Sequence, residues 1–102
     1  MDKIAGLEDA AELFKALGSE SRLALVWLLS REPLTVGVLA EQSALSQPLV
    51  SQHLRTLRQA GLVSSEREGK EIRYALADQH VAHVVLDAIA HVQEPSDQGE
   101  ES

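Results

Sequence analysis

The residue pattern predicts a mostly α-helical domain with one β-hairpin, ordered helix, helix, short helix, turn, helix, hairpin, helix. Two features carry that reading. Apolar residues recur at helical spacing through most of the 102 residues, but the period shortens to two between Leu62 and Leu76. Residues that cap or break helices (Gly18, Ser19, Pro33, Thr35, Gly61, Asp78 and Pro95) stand where the helical runs begin or end.

The first helix spans Leu7 to Leu17, with Leu7, Ala10, Ala11, Phe14 and Leu17 on one side, and Gly18 stops it. Ser19 caps a second helix, Glu20 to Leu29, whose Leu, Val and Trp residues fall on several faces, the mark of a central core helix. Pro33 follows its end. Thr35 caps a short helix through Val36, Val38, Leu39 and Ala40, and a turn near Ser43 to Ser46 leads to Gln47 and Pro48. Proline suits a first helical turn, so the next helix is expected from about Pro48 to Gln59, burying Leu49 or Val50, Leu54 and Leu57, with Gly61 ending it.

Residues 62–67 and 71–76 read as two strands, with Ile72, Tyr74 and Leu76 alternating on one face and Glu68-Gly69-Lys70 as the turn. Asp78 opens a last helix that runs to about Glu94, before Pro95. Residues 1–95 are thus expected to form one domain, and the polar, acidic residues 96–102 a disordered tail.

Apolar residues make up 44% of the chain but aromatic ones only 3%, so the core is expected to be aliphatic. There is no cysteine, which removes disulfides, thiolate metal sites and cysteine catalysis. No apolar run approaches the roughly 20 residues of a membrane span, and Met1 to Gly6 is too short and polar for a signal peptide. A cytoplasmic protein is the expectation.

The net charge of −7 argues at first against nucleic acid, but its distribution does not. Residues 47–73 carry five basic side chains (Arg55, Arg58, Arg67, Lys70 and Arg73) against three acidic ones, whereas residues 74–102 carry six acids and no Lys or Arg. Local field, more than total charge, governs phosphate binding. A short helix, a tight turn and a second helix presenting short polar side chains and an arginine fit a helix-turn-helix that reads the DNA major groove. Gln47, Ser51, Gln52, His53 and Arg55 supply such groups, and Arg67, Lys70 and Arg73 on the hairpin are placed to touch flanking phosphates or the minor groove. The architecture is a winged helix-turn-helix. A solvated helix face and a surface hairpin would use the same residue types, and the surroundings of the motif separate the two readings.

Those surroundings are specific. Leu17-Gly18-Ser19-Glu20-Ser21-Arg22-Leu23, Leu39-Ala40-Glu41, Leu45-Ser46-Gln47-Pro48-Leu49-Val50-Ser51-Gln52-His53-Leu54 and Leu57-Arg58-Gln59-Ala60-Gly61-Leu62-Val63 together resemble the ArsR/SmtB family of dimeric bacterial repressors, over about residues 8–94. The resemblance implies a homodimer joined by the first and last helices and bound to double-stranded operator DNA, with Ser51, Gln52, His53 and Arg55 on or beside the DNA-facing surface. His53 has two readings: it contacts DNA, or it holds the helix by hydrogen bonding.

Asp78, His80, His91 and Glu94 are the other notable set. His80 and His91 return to within about 20° of each other on a helix but are separated by about 16 Å of rise, so one ion cannot join them within a chain. Asp78 with His80, and His91 with Glu94, form two half-sites. Antiparallel pairing of this helix with its dimer mate would bring the half-sites together into two equivalent sites of two imidazoles and two carboxylates, a donor set suited to Zn(II). The spacing also matches, residue by residue, the interfacial site of the zinc-sensing members, which implies release from the operator on metal binding. The family's thiolate site finds Thr35-Val36-Gly37-Val38 and no cysteine here. The alternative signal is nickel or cobalt, which with five or six ligands fit four residues less well, or a non-metal effector; His83, with Asp87 one turn on, reads as a supporting or spare group. Without metal, the same residues would be the wet stripe of an amphipathic helix, with Val81, Val85, Ile89 and Val92 opposite. Four protein ligands close a zinc site to hydrolysis, and no nucleophile–base set stands elsewhere, so no enzyme activity and no small organic substrate are expected.

Overall fold

The computed structural model describes residues 4–95. The acidic tail read at residues 96–102 lies outside them. The elements are α1 (Leu7–Leu17), α2 (Glu20–Leu29), β1 (Leu34–Thr35), α3 (Val36–Ser43), α4 (Gln47–Gln59), β2 (Val63–Glu68), β3 (Glu71–Leu76) and α5 (Gln79–Gln93).

Side chains next to each helix explain most of these bounds. Ser19, Thr35 and Ser46 each accept from a backbone N–H three residues on (Arg22, Val38 and Leu49), satisfying donors that a helix start leaves unpaired. Asp78 does the same for His80 and Val81 at 2.9 and 3.3 Å. Ser46 therefore starts α4 at Gln47, one residue before the expected Pro48, which still lies in the first turn. The other end of α4 closes in a Schellman motif. Leu62 N–H donates to the Leu57 carbonyl and Gly61 N–H to that of Arg58, while Gly61 takes φ +76°. Leu57 and Leu62, joined by this turn, are both fully buried.

The hairpin is in register from Val63↔Leu76 to Glu68↔Glu71, leaving Gly69 and Lys70 as a two-residue turn with Gly69 at φ +63°. Sequence pattern does not show that this sheet has a third strand. Leu34 and Thr35 pair antiparallel with Tyr74 and Arg73, in the order β1-β3-β2. Thr35 is thus both a strand residue paired to the hairpin and the N-cap of α3.

One aliphatic cluster fills the interior. Leu25 and Val26 of α2 lie at its centre with Leu39, Val50, Leu54, Leu57, Leu62 and Val85, drawn from every helix after α1 and from the segment entering β2. Val50, not Leu49, faces inward on α4. The aromatic rings stay outside this centre: Phe14 is 58% exposed, Trp27 lies under the Arg31 guanidinium at 5.4 Å, and Tyr74 is half-buried. No helix among the described residues is long and apolar enough to cross a membrane.

Candidate nucleic-acid interface and sensor residues

The turn between α3 and α4 sets how α4 is presented. Ala44 adopts a left-handed conformation at φ +63°, an uncommon choice for a residue with a Cβ, and Ser43 Oγ supports it by accepting from Leu45 N–H at 3.3 Å. With Val50, Leu54 and Leu57 turned into the core, Gln47, Ser51, Gln52, Arg55 and Arg58 are left exposed on the other side of α4. The hairpin tip stands beside the start of this helix. Gln47 and Ser51 share a groove of about 430 Å³ with Thr35, Lys70, Glu71 and Ile72. Two of the expected contacts on α4, Gln47 and Ser51, therefore share one groove with Lys70, while Gln52 and Arg55 lie exposed outside it.

His53 is set apart from them. It is half-buried, and its Nδ1 lies 3.5 Å from Nη1 of Arg22 on α2. A guanidinium only donates, so Nδ1 is the acceptor and the neutral ring carries its proton on Nε2. Arg22 also donates through Nε to the Ala16 carbonyl at the end of α1. Burial, and then the Arg22 charge, hold the His53 pKa below the ordinary imidazole value. Of the two readings of this residue, the geometry favours the one that holds the helix.

The hairpin differs from the basic element that its Arg and Lys residues suggested. Glu66, Glu68 and Glu71 match Arg67, Lys70 and Arg73 in number. Arg67 and Lys70 are exposed near the turn. Arg73 lies farther back and is engaged: Nε donates to Glu68 Oε1 at 3.0 Å and Nη1 to the Pro33 carbonyl at 3.3 Å.

On α5, all four expected ligand residues are exposed. Asp78 Oδ1 approaches His80 Nδ1 at 3.5 Å, so the cap that begins the helix also brings these two side chains together. His80, its side chain 94% exposed, borders a cavity of about 140 Å³ that Leu13 and Leu17 of α1 help to line. His91 and Glu94 sit at the opposite end, where the Glu94 N–H donates to the His91 carbonyl. Among the described residues of one chain, no three His, Asp or Glu side chains converge as a metal site. His83 and Asp87 lie exposed between the two pairs. Val81 and Val85 are buried and Ile89 partly so, but Val92, expected on the same apolar face, is 77% exposed. Val84, Leu86 and Val92 on α5, with Ile4, Leu7 and Phe14 at α1, are large apolar side chains left open to solvent.

Comparison with known proteins agrees with this architecture. Residues 19–65 match the arsR family of bacterial regulatory proteins. The chain is 48% identical over 88 residues to the HTH-type transcriptional repressor SmtB of Mycobacterium tuberculosis, covering 86% of this chain and 65% of that one. It is 42% identical over 91 residues to the HTH-type transcriptional regulator NmtR of the same organism, covering 89% of this chain and 75% of that one. The chain thus spans just under two thirds of the length of SmtB. Among solved structures, it superposes with a TM-score of 0.82 and 29% identity on a homodimeric winged helix-turn-helix DNA-binding domain from Mycobacterium bovis, covering 88% of this chain and 83% of that one. A helix-turn-helix joined to a hairpin by a short third strand, with this breadth of sequence identity, has one family reading: the chain belongs to the arsR family of bacterial regulatory proteins.

Proposed function

We propose that this protein is a metal-responsive transcriptional repressor of the cytoplasm that binds operator DNA as a homodimer and leaves it when Zn(II) binds between the protomers. The observation that carries the reading is the placement of Asp78 with His80 and of His91 with Glu94, all exposed, at opposite ends of α5, with no third ligand-type side chain converging on either pair among the described residues. The exposed apolar side chains of α1 and α5 support a dimer built on these helices, and the M. bovis neighbour is described as homodimeric. Antiparallel α5 helices would set Asp78 and His80 of one protomer against His91 and Glu94 of its partner, giving two sites per dimer.

The donor chemistry fits. Asp78 spends Oδ1 on the helix cap, and a carboxylate has a second oxygen to offer. Two imidazoles and two carboxylates suit a closed, four-coordinate zinc site. An ion held by ligands from both protomers would favour the dimer geometry in which those ligands meet. DNA reading falls to Gln47, Ser51 and Gln52, with Arg55, Arg67 and Lys70 on phosphates.

The test is a mobility-shift titration with and without zinc. Zinc is expected to weaken the complex, and His80→Ala or His91→Ala to abolish that response while leaving metal-free binding intact. An unchanged zinc response in both variants overturns the site. Nickel or cobalt is the alternative effector, with His83 or Asp87 enlarging the ligand set; the absorption spectrum of the cobalt-substituted protein separates tetrahedral from octahedral coordination.

A further inference from the structure

Arg73 is the hairpin cation with a partner on each side. In the register it stands opposite Thr35 on one side and Glu66 on the other. Its guanidinium bonds not to Glu66 but diagonally to Glu68, the last residue of β2 before the turn, at 3.0 Å. Its other bond goes to the carbonyl of Pro33 at 3.3 Å, just ahead of β1. One planar fork therefore ties the chain entering the helix-turn-helix to the strand that carries the hairpin turn. Both tied points flank parts of the DNA-facing groove. Thr35, two residues after Pro33, caps α3 and lines that groove, as does Lys70, two residues after Glu68.

We propose that Arg73 is a positioning residue for DNA binding, a brace that fixes the angle of the hairpin against α3 and α4. It is not a phosphate contact. The inference rests on the DNA-binding reading above. It makes a prediction opposite in sign to simple electrostatics: Glu68, a negative charge near the DNA-facing surface, helps DNA binding because it holds Arg73. A lysine at position 73 would keep the charge but lose the fork that spans two acceptors.

The test uses a duplex of about 30 base pairs selected from a random pool by the wild-type protein, with affinity measured across a salt series. Glu68→Gln, Arg73→Lys and Arg73→Ala are each expected to weaken binding about threefold or more per hairpin, the scale of one exposed, well-aligned ion pair. The slope of log affinity against log salt should stay at the wild-type value in all three. Lys70→Ala, the control for a phosphate contact, should instead lower the slope by about 0.9 per hairpin. Tighter or unchanged binding by Glu68→Gln, wild-type affinity in Arg73→Lys, or a reduced slope in Arg73→Ala each overturns the brace. A second arm needs no DNA: residual dipolar couplings of the Val63–Leu76 amides should report a hairpin reoriented against α4 in Arg73→Ala, and unchanged couplings count against the proposal. A wild-type protein that selects no duplex overturns the DNA-binding reading, and the couplings then decide the brace alone.

Discussion

Arg22 Nη1 lies 3.5 Å from His53 Nδ1, and the same guanidinium donates to the Ala16 carbonyl, so one side chain on α2 joins the end of α1 to α4. The contact requires a neutral imidazole, and burial and the arginine both hold the His53 pKa below 6.5. On acidification the unfolded chain takes up this proton before the folded one, so stability is fully present above pH 6.5 and is lost as pH falls below it towards the depressed folded value. His53→Gln keeps an acceptor but does not titrate. Denaturant melts at a series of pH values are expected to show a shallower acid loss for the variant than for wild type; parallel curves would remove His53 from the account.

Shared metal sites predict complementation between two inactive variants. His80→Ala and His91→Ala should each bind no zinc at the α5 sites as pure homodimers. In a mixed dimer, one site loses both histidines and the other keeps its full set. Unfolding and refolding the two variants together should restore zinc binding in the heterodimer, measured by metal analysis of the separated species. No recovery would show that each site lies within one chain.

The exposed apolar side chains at α1 and α5 predict that charge will split the proposed dimer. Phe14→Asp, at a side chain 58% exposed in the single chain, is expected to leave the fold intact and yield a monomer in analytical ultracentrifugation. DNA affinity should fall with it, because one protomer then meets one half-site.

Arg55→Ala is expected to weaken DNA binding at all sequences and to lower the salt slope by about 0.9 per half-site, as loss of a phosphate contact would. Gln47→Ala and Ser51→Ala should leave the slope alone and relax the choice of sequence, which a selection experiment on random duplexes reads directly.

Gly61→Ala tests the end of α4. At φ +76° an alanine meets no atom within 4 Å, so its cost is conformational only. A loss of about 1 kcal/mol in unfolding free energy is expected, consistent with the left-handed penalty for a residue with a Cβ.

The helices were legible because their starts are marked locally: Ser19, Thr35 and Asp78 each stand beside the run they cap, and each does cap it. Pro48 drew the start of α4 one residue late, since its helix signal is stronger than that of the serine two places earlier that makes the hydrogen bond. β1 was hidden for a different reason. Two residues show no period, and what makes Leu34 and Thr35 a strand is a partner some forty positions away. The same distance hid the work of Arg73, which counts as one positive charge in a composition and becomes a brace only when Pro33 and Glu68 are beside it. The placing of Asp78 with His80 and of His91 with Glu94 at opposite ends of α5 was legible for the opposite reason, because helical rise alone keeps the two pairs apart.

The two-residue strand also bears on how a signal could travel. Because Thr35 pairs with the hairpin and caps α3 at once, and Arg73 ties the same junction to Pro33, movement of the hairpin is coupled to α3, and α4 is packed against α3 through the core. Each protomer of the proposed dimer would then behave as a stiff caliper jaw. An ion that shifts one jaw against the other would leave every reading side chain in place and change only the gap between them. DNA offers its grooves at a fixed repeat of about 34 Å, so the operator itself would serve as the gauge, rejecting a dimer whose span no longer matches.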